Sequence, residues 1–310
     1  MPGCKTRPDA KGNTPYWHNI IAKASAAMEA RPAPPTDFAD WVGRSRSAED
    51  EATAVPIRSL AATLDLEVPP ARPGDPIPPA WHWLYFLATA AQAELGPDGA
   101  EARGEFLPPV ELPRRMWAGG CFTFHQPLRL GERIRRVSTI RSVARKTGKQ
   151  GALVFVTLGH EISGEAGPAA DEEHIIVYRP AARPGETPSP LDAPTEAAWR
   201  RIVPPDPVLL FRFSALTFNG HRIHYDRPYA IGTERYPGLV VHGPLQALLL
   251  LELVRAAVPD RPVRRFEYRA LAPIFDTAPF SVNGQPEGAG ARLWTADGGG
   301  HLGMTGRAEF

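Results

Sequence analysis

Cysteine is nearly missing from this chain: two residues in 310, Cys4 in a polar N-terminal stretch and Cys121 between glycines and a strand-like FTF. Two thiols cannot build a disulfide framework, and so few suit a reducing compartment. An excess of charge of one sign is missing as well. Lys and Arg number 35 against 34 Asp and Glu, a formal +1, so no global field draws the chain to nucleic acid or to an anionic membrane. Nor is there a long uninterrupted apolar run. The most apolar stretch, LVVHGPLQALLLLELV at 239–254, is broken by His242, Gly243, Pro244, Gln246 and Glu252 and falls short of the ~20 apolar residues of a membrane span. The first residues, MPGCKTRPDAKGNTPYWHN, are not followed by the apolar core of a secretory signal. A cytoplasmic location, with no nucleic-acid or membrane partner, is the expectation.

Proline, by contrast, is abundant. The 35 prolines cluster at 32–35, 69–79, 180–194 and 204–207, where neither a helix nor a central strand can continue. The spacing predicts an N-terminal tail over 1–35, a first domain over 36–180, a Pro-rich linker over 181–207 with a short helical patch at Glu196–Arg201, and a catalytic domain over 208–310. The same order of elements occurs in both halves. AWHWLYFLATAAQAEL at 80–95 reads as a helix apolar on nearly every face and is followed by strand-like GCFTFHQPLRLGERIRRVSTIRSV, GALVFVTLGHEI and EEHIIVYRP. LQALLLLELVRAAV at 245–258 is followed in turn by RRFEYRALAPIFD, PFSVNGQPE, ARLWTAD and HLGMTGRAEF. Phe122-x-Phe124 and Phe266-x-Tyr268 open the two sets as a weak internal repeat. A helix apolar all round must be enclosed, and an antiparallel sheet curled about it does so. Two such units predict an α+β double hotdog, its sheets joined edge to edge.

Polar chemistry concentrates in SALTFNGHRIHYD at 214–226, between a strand-like FRFSALTF and the second helix. Gly243 is placed at the helix N-cap and Pro244 at its first position, leaving the Gly243 N–H and first-turn amides from Leu245 onward at the positive end of the dipole. Such an amide suits a thioester oxygen that gains charge. Asn219 and His224 could converge on one water: the imidazole moves the proton, while the amide orients water without taking one. His221, Arg222, Asp226 and His242 are the neighbouring candidates for substrate contact. The same residues also make an ordinary capped helix and a hydrogen-bonded loop. His221 and His224 beside Asp226 lack a clear third metal ligand, so no metal or other cofactor is expected.

These residues resemble a known family. SALTFNGHRIHYD followed by YPGLVVHGPLQALLL is similar to the MaoC-like, R-specific enoyl-CoA hydratase signature, in which a Gly-Asp-x-Asn-Pro-aliphatic-His loop precedes a His-Gly-led hotdog helix. On that match Asn219 falls on the catalytic aspartate, His224 on the catalytic histidine and Gly243 on the oxyanion-hole glycine. Asn219 is thus a departure from the family pattern. The segments at 78–87, 114–132, 218–226 and 266–276 resemble the mesaconyl-CoA (3-methylfumaryl-CoA, itaconyl-CoA) hydratase group and the related mitochondrial 3-hydroxyacyl-thioester dehydratases, from about Asp40 to the C-terminus. The resemblance implies reversible hydration of an α,β-unsaturated acyl-CoA, a branched dicarboxylic one giving citramalyl-CoA, with Arg222 as a candidate fork for the free carboxylate. A dehydratase acting on carrier-protein or CoA chains of fatty acid or polyketide metabolism, an acyl-CoA thioesterase and a non-catalytic acyl-binding protein stay open. So does a homodimer.

Overall fold

A computed structural model describes residues 38–67, 71–148, 151–181 and 190–310. The expected tail at 1–35 and residues 182–189 of the expected linker lie outside them. In chain order the described elements are β1 (Ser45–Glu51), α1 (Ala54–Thr63), β2 (Arg114–Phe124), β3 (Arg133–Gly148), β4 (Gly151–Gly164) and β5 (Gly167–Arg179). Then come β6 (Trp199–Val203), α2 (Pro207–Leu216), α3 (Arg227–Gly232), α4 (Gly243–Ala257), β7 (Arg265–Ala270), β8 (Phe280–Glu287), β9 (Gly290–Ala296) and β10 (Leu302–Glu309).

The strands form one ten-stranded sheet in the order β1-β3-β4-β5-β2-β7-β10-β9-β8-β6. Its two halves have the same topology, since β6 to β10 retrace β1 to β5. The halves meet where β2 pairs antiparallel with β7 in the register Phe122↔Phe266, so the two copies of the internal repeat face each other across the seam. Both rings are fully buried and stacked at 14°. Joining the two sheets at this seam removes one exposed edge from each half. The arrangement is a double hotdog.

α4 is the enclosed helix of the second half, packed on β6 to β10. Leu245, Leu248, Leu249, Leu250, Leu251 and Val254 are buried on all its sides, and each such side chain contributes about 1.5–3 kcal/mol. The first half differs from expectation. The segment 80–95 forms no long helix, only short 3-10 turns at Trp81–Leu84 and Gln92–Glu94. The reason lies in the sheet beneath it. The register Ser138↔His160↔Glu172↔Phe122 places Ser138, His160 and Glu172 on one face, and all three are buried. An apolar helix would leave that face without hydrogen-bond partners. The turn instead delivers the His82 and Trp83 side chains to Glu172. It is bounded by Ala80 at φ 65 and Phe86 at φ 56, conformations that end helical propagation.

Two further expectations are corrected. FRFSALTF lies in helix α2 and the turn that follows it: Asp206 caps the helix by accepting from the Val208 and Leu209 N–H groups, and Pro207 opens it. The predicted helical patch at Glu196–Arg201 gives way to β6, which pairs with β8 in the register Trp199↔Gly284. Sheet pairing there overrides local helix propensity.

Candidate active site

Each candidate residue is placed by a short local device. Asp226 caps α3 by accepting from the Tyr229 N–H, and the chain before it makes a 3-10 turn over Arg222–His224. That turn is braced by a loop of the first half. The Arg222 N–H donates to the Asp98 carbonyl at 2.8 Å, and a Cβ on Gly99 would meet the Gly220 carbonyl oxygen at 2.1 Å, so only glycine allows this approach. Below the turn the segment leading into α4 is stitched to 274–276, with Val241 N–H donating to Ile274 O at 2.8 Å and Asp276 N–H to Leu239 O at 2.9 Å. Val240 N–H donates to Ile223 O at 3.0 Å. The loop, the helix entry and the first half are therefore one rigid frame.

Within it, His224 Nδ1 donates to the Val240 carbonyl at 2.7 Å. The carbonyl can only accept, so Nδ1 carries the proton and Nε2 is the basic nitrogen. Burial, followed by the neighbouring His221, depresses His224 from 6.5 to about 3, and its imidazole is neutral throughout the physiological range. His242 stacks on it with ring centroids 3.7 Å apart, is fully buried, and shares a 2.8 Å hydrogen bond with the Ser214 hydroxyl. Asn219 Oδ1 accepts from the His221 N–H at 3.0 Å, which leaves its amide donors for a ligand. The α4 N-cap is His242 and Gly243 is the first helical residue, so the helix starts one position earlier than the sequence suggests. The Gly243 N–H thus has no partner within the helix, and it stands at the positive end of the dipole.

A cavity of about 970 Å³ is lined by Asn219, His221, His224, Gly243, Pro244 and Gln246. Across it stand Trp117, His174 and Ile176 of the first half, and Arg115, Arg179 and Arg269 line it as well. Four of the predicted residues, Asn219, His221, His224 and Gly243, therefore share one chamber. The other four do not. Arg222 forms an ion pair with Asp226 at 2.7 Å, donates to the Pro97 carbonyl and covers the Tyr229 ring. Neither member of that pair lines the cavity, so the fork predicted for a substrate carboxylate is used to hold the loop. His242 and Leu245 lie behind the wall, each wholly buried. Sequence reasoning missed Trp117, His174 and Arg269, because nothing local marks a strand residue as facing a cavity shared between two halves.

Buried neutral imidazoles make acid stability a direct test of this packing. His224 and His160 are both depressed from 6.5 to about 3, chiefly by burial, and burial likewise holds His242 well below 6.5. The unfolded chain takes up these protons near pH 6.5 and the folded chain does not, so unfolding binds protons as pH falls through the window between the two values. Stability should be level above pH 7 and fall by about 1.4 kcal/mol per pH unit for each such histidine once pH drops below about 6. Urea unfolding between pH 7 and 5 measures the slope, and His160→Gln should flatten it. A midpoint independent of pH over that interval would mean that these rings are solvated.

Comparison with known proteins gives the chain's family and fold. Residues 80–276 match the family described as Hydroxyacyl-thioester dehydratase type 2. The chain is 48% identical over 255 residues to Mesaconyl-C(4)-CoA hydratase of Chloroflexus aurantiacus, covering 81% of this chain and 90% of that one. It is 27% identical over 263 residues to the mitochondrial Hydroxyacyl-thioester dehydratase type 2 of Schizosaccharomyces pombe, covering 76% and 88%. Among solved structures, HtdX of Mycobacterium tuberculosis superposes with a TM-score of 0.60 at 16% identity over 86% of this chain and 99% of that one. A second M. tuberculosis protein, described as having a double hotdog fold, gives 0.54 at 13% identity over 86% and 95%. A buried neutral histidine and a helix-terminal amide facing one chamber, in a chain matching these relatives over most of its length, make it a member of the hydroxyacyl-thioester dehydratase type 2 family of MaoC-like hotdog hydro-lyases.

Proposed function

We propose that the protein adds water reversibly across the double bond of an α,β-unsaturated acyl-CoA, and that its acyl group is a short branched diacid of the mesaconyl type, giving citramalyl-CoA. The observation that carries the reading is the tautomer of His224, whose Nδ1 is committed to Val240 while Nε2 is left as a base on the wall that also presents the Gly243 amide. The thioester oxygen takes that amide. Water, held by the Asn219 amide, loses a proton to His224 as its oxygen bonds to the β-carbon. The electron pair of the double bond moves toward the thioester, and the enolate is held at the helix terminus until the proton taken up by His224 is passed on to the α-carbon, which restores the neutral imidazole. Burial makes His224 a weak base at rest, but negative charge growing on the thioester strengthens it in the transition state. Arg115, Arg179 and Arg269 supply positive charge for the CoA phosphates. The diacid reading is supported by the 48% identical relative.

Incubation with mesaconyl-, itaconyl- and crotonyl-CoA, followed by loss of enoyl absorbance and product mass, tests this. A gain of one water with the CoA ester intact is expected, fastest for mesaconyl-CoA. Release of free CoA would identify a thioesterase, and a strong preference for carrier-protein esters would move the reaction to chain synthesis. Asn219→Asp is informative here because the carboxylate can keep the bond to the His221 N–H. We expect an intact fold and roughly tenfold weaker use of mesaconyl-CoA than of crotonyl-CoA, from like-charge repulsion with the diacid. Equal effects on both substrates would argue against a free carboxylate close to position 219.

A further inference from the structure

Beneath the cavity floor of the first half is a buried polar cluster that the hydration mechanism does not use. Glu172, with a side chain 1% exposed, accepts from the Trp83 indole N–H at 2.7 Å, lies 3.0 Å from His82 Nε2, and is hydrogen-bonded through its other contact to His174 Nε2. Burial alone would raise the Glu172 carboxyl, but the charges and hydrogen bonds of His174 and His82 outweigh it and hold the group ionised. Of the cluster, His174 lines the cavity, its side chain 23% exposed. With Nε2 turned to Glu172, Nδ1 is the atom left for a ligand. Trp117 connects the two ends of the chamber. Its ring is centred 4.7 Å from that of His174, and it lies 3.9 Å from where a Cβ on Gly243 would stand. His174 is therefore one ring-width beyond the amide that receives the thioester oxygen, within the span of a short acyl group.

We propose that His174, backed by Glu172, binds the free carboxylate at the far end of the acyl group. The inference rests on the acyl-CoA reading above and names the residue that selects a diacid. An imidazolium whose other nitrogen is held by a buried carboxylate presents a fixed N–H and a charge to an incoming anion, the strong form of hydrogen bond. The partly buried Arg136 guanidinium lies close enough to Glu172 to interact with its charge. His160 packs edge-on against His174 at 4.6 Å and stays neutral, through burial first and then the charge of that neighbour. Arg222, locked to Asp226, is unavailable for the task, whereas Arg269 is exposed on the cavity wall and suits a phosphate.

Binding separates this proposal from the reaction itself. Succinyl-CoA and butyryl-CoA are saturated, cannot be hydrated, and differ at the acyl end only by the carboxylate. Calorimetry on the wild-type protein should show succinyl-CoA bound about 10- to 100-fold more tightly. His174→Ala should erase the preference and leave butyryl-CoA affinity within about threefold; His174→Gln, which keeps much of the volume, should do the same if the smaller side chain disturbs folding. Glu172→Gln should reduce the preference without changing butyryl-CoA affinity, since it acts only by holding and charging His174. Arg115→Ala, a control on the phosphate side, should weaken both esters alike. No preference in the wild type, or one that survives loss of His174, would overturn the proposal. Failure of the wild type to hydrate mesaconyl-CoA is a separate measurement and would instead overturn the reaction assigned above.

Discussion

Replacing His224 by alanine is expected to lower kcat for hydration by about 10²–10⁴, the range a positioned general base supplies, while KM for the CoA ester changes little. The split follows from the geometry. In the proposed reaction the imidazole acts on water, whereas the ester would be received by the Gly243 amide and by arginines on other elements of the cavity wall. Asn219 is not a base, and His242 stacks behind His224 and bonds Ser214. His221 lines the same cavity, so His221→Ala is the companion variant and should retain most of the rate. The substitution also leaves the Val240 carbonyl unpaired, which costs about 1–3 kcal/mol. Thermal unfolding should therefore be recorded beside steady-state rates. A folded variant that turns over within tenfold of wild type would remove His224 from the chemistry.

Gly243→Ala should be nearly as damaging to the reaction and harmless to the fold. Alanine is the better helix former, and its Cβ would meet only Trp117, at an ordinary contact distance of 3.9 Å. That same methyl would stand over the amide that has no partner in the helix. The thioester oxygen could then no longer reach it, a loss expected to lower kcat/KM by about 10²–10³. Unchanged or slightly higher Tm with this loss of rate is the anticipated signature. Normal turnover would place the substrate oxygen elsewhere.

These expectations show how unevenly the site was legible. Helix α4 was readable because an apolar run behind Gly-Pro has one stable outcome: burial with a preset start. That Asn219, His221, His224 and Gly243 would come together at one cavity was legible because they are compressed into two short stretches. The sequence left the Arg222 fork open between a substrate carboxylate and its neighbour Asp226, and the structure gives it Asp226. A guanidinium pairs with whichever carboxylate is close, and the 3-10 turn brings Asp226 there first. The 80–95 segment was misread as a helix because its composition says nothing of the polar face it must cover, and α2 because the capping signal of Asp206-Pro207 was overlooked.

The sequence by itself determined that two strand-rich units repeat, that the second carries a histidine-bearing loop ahead of a Gly-Pro helix start, and that positive and negative charges nearly balance. Those properties depend on composition and on spacing along the chain, which folding does not alter. Only the tertiary structure decided which nitrogen of His224 is basic, which residues line the chamber, and that His174 of the first half lines the same cavity as His224 of the second. Such relations join residues far apart in the chain, through strand register and burial, and they exist only once the β2–β7 seam has closed.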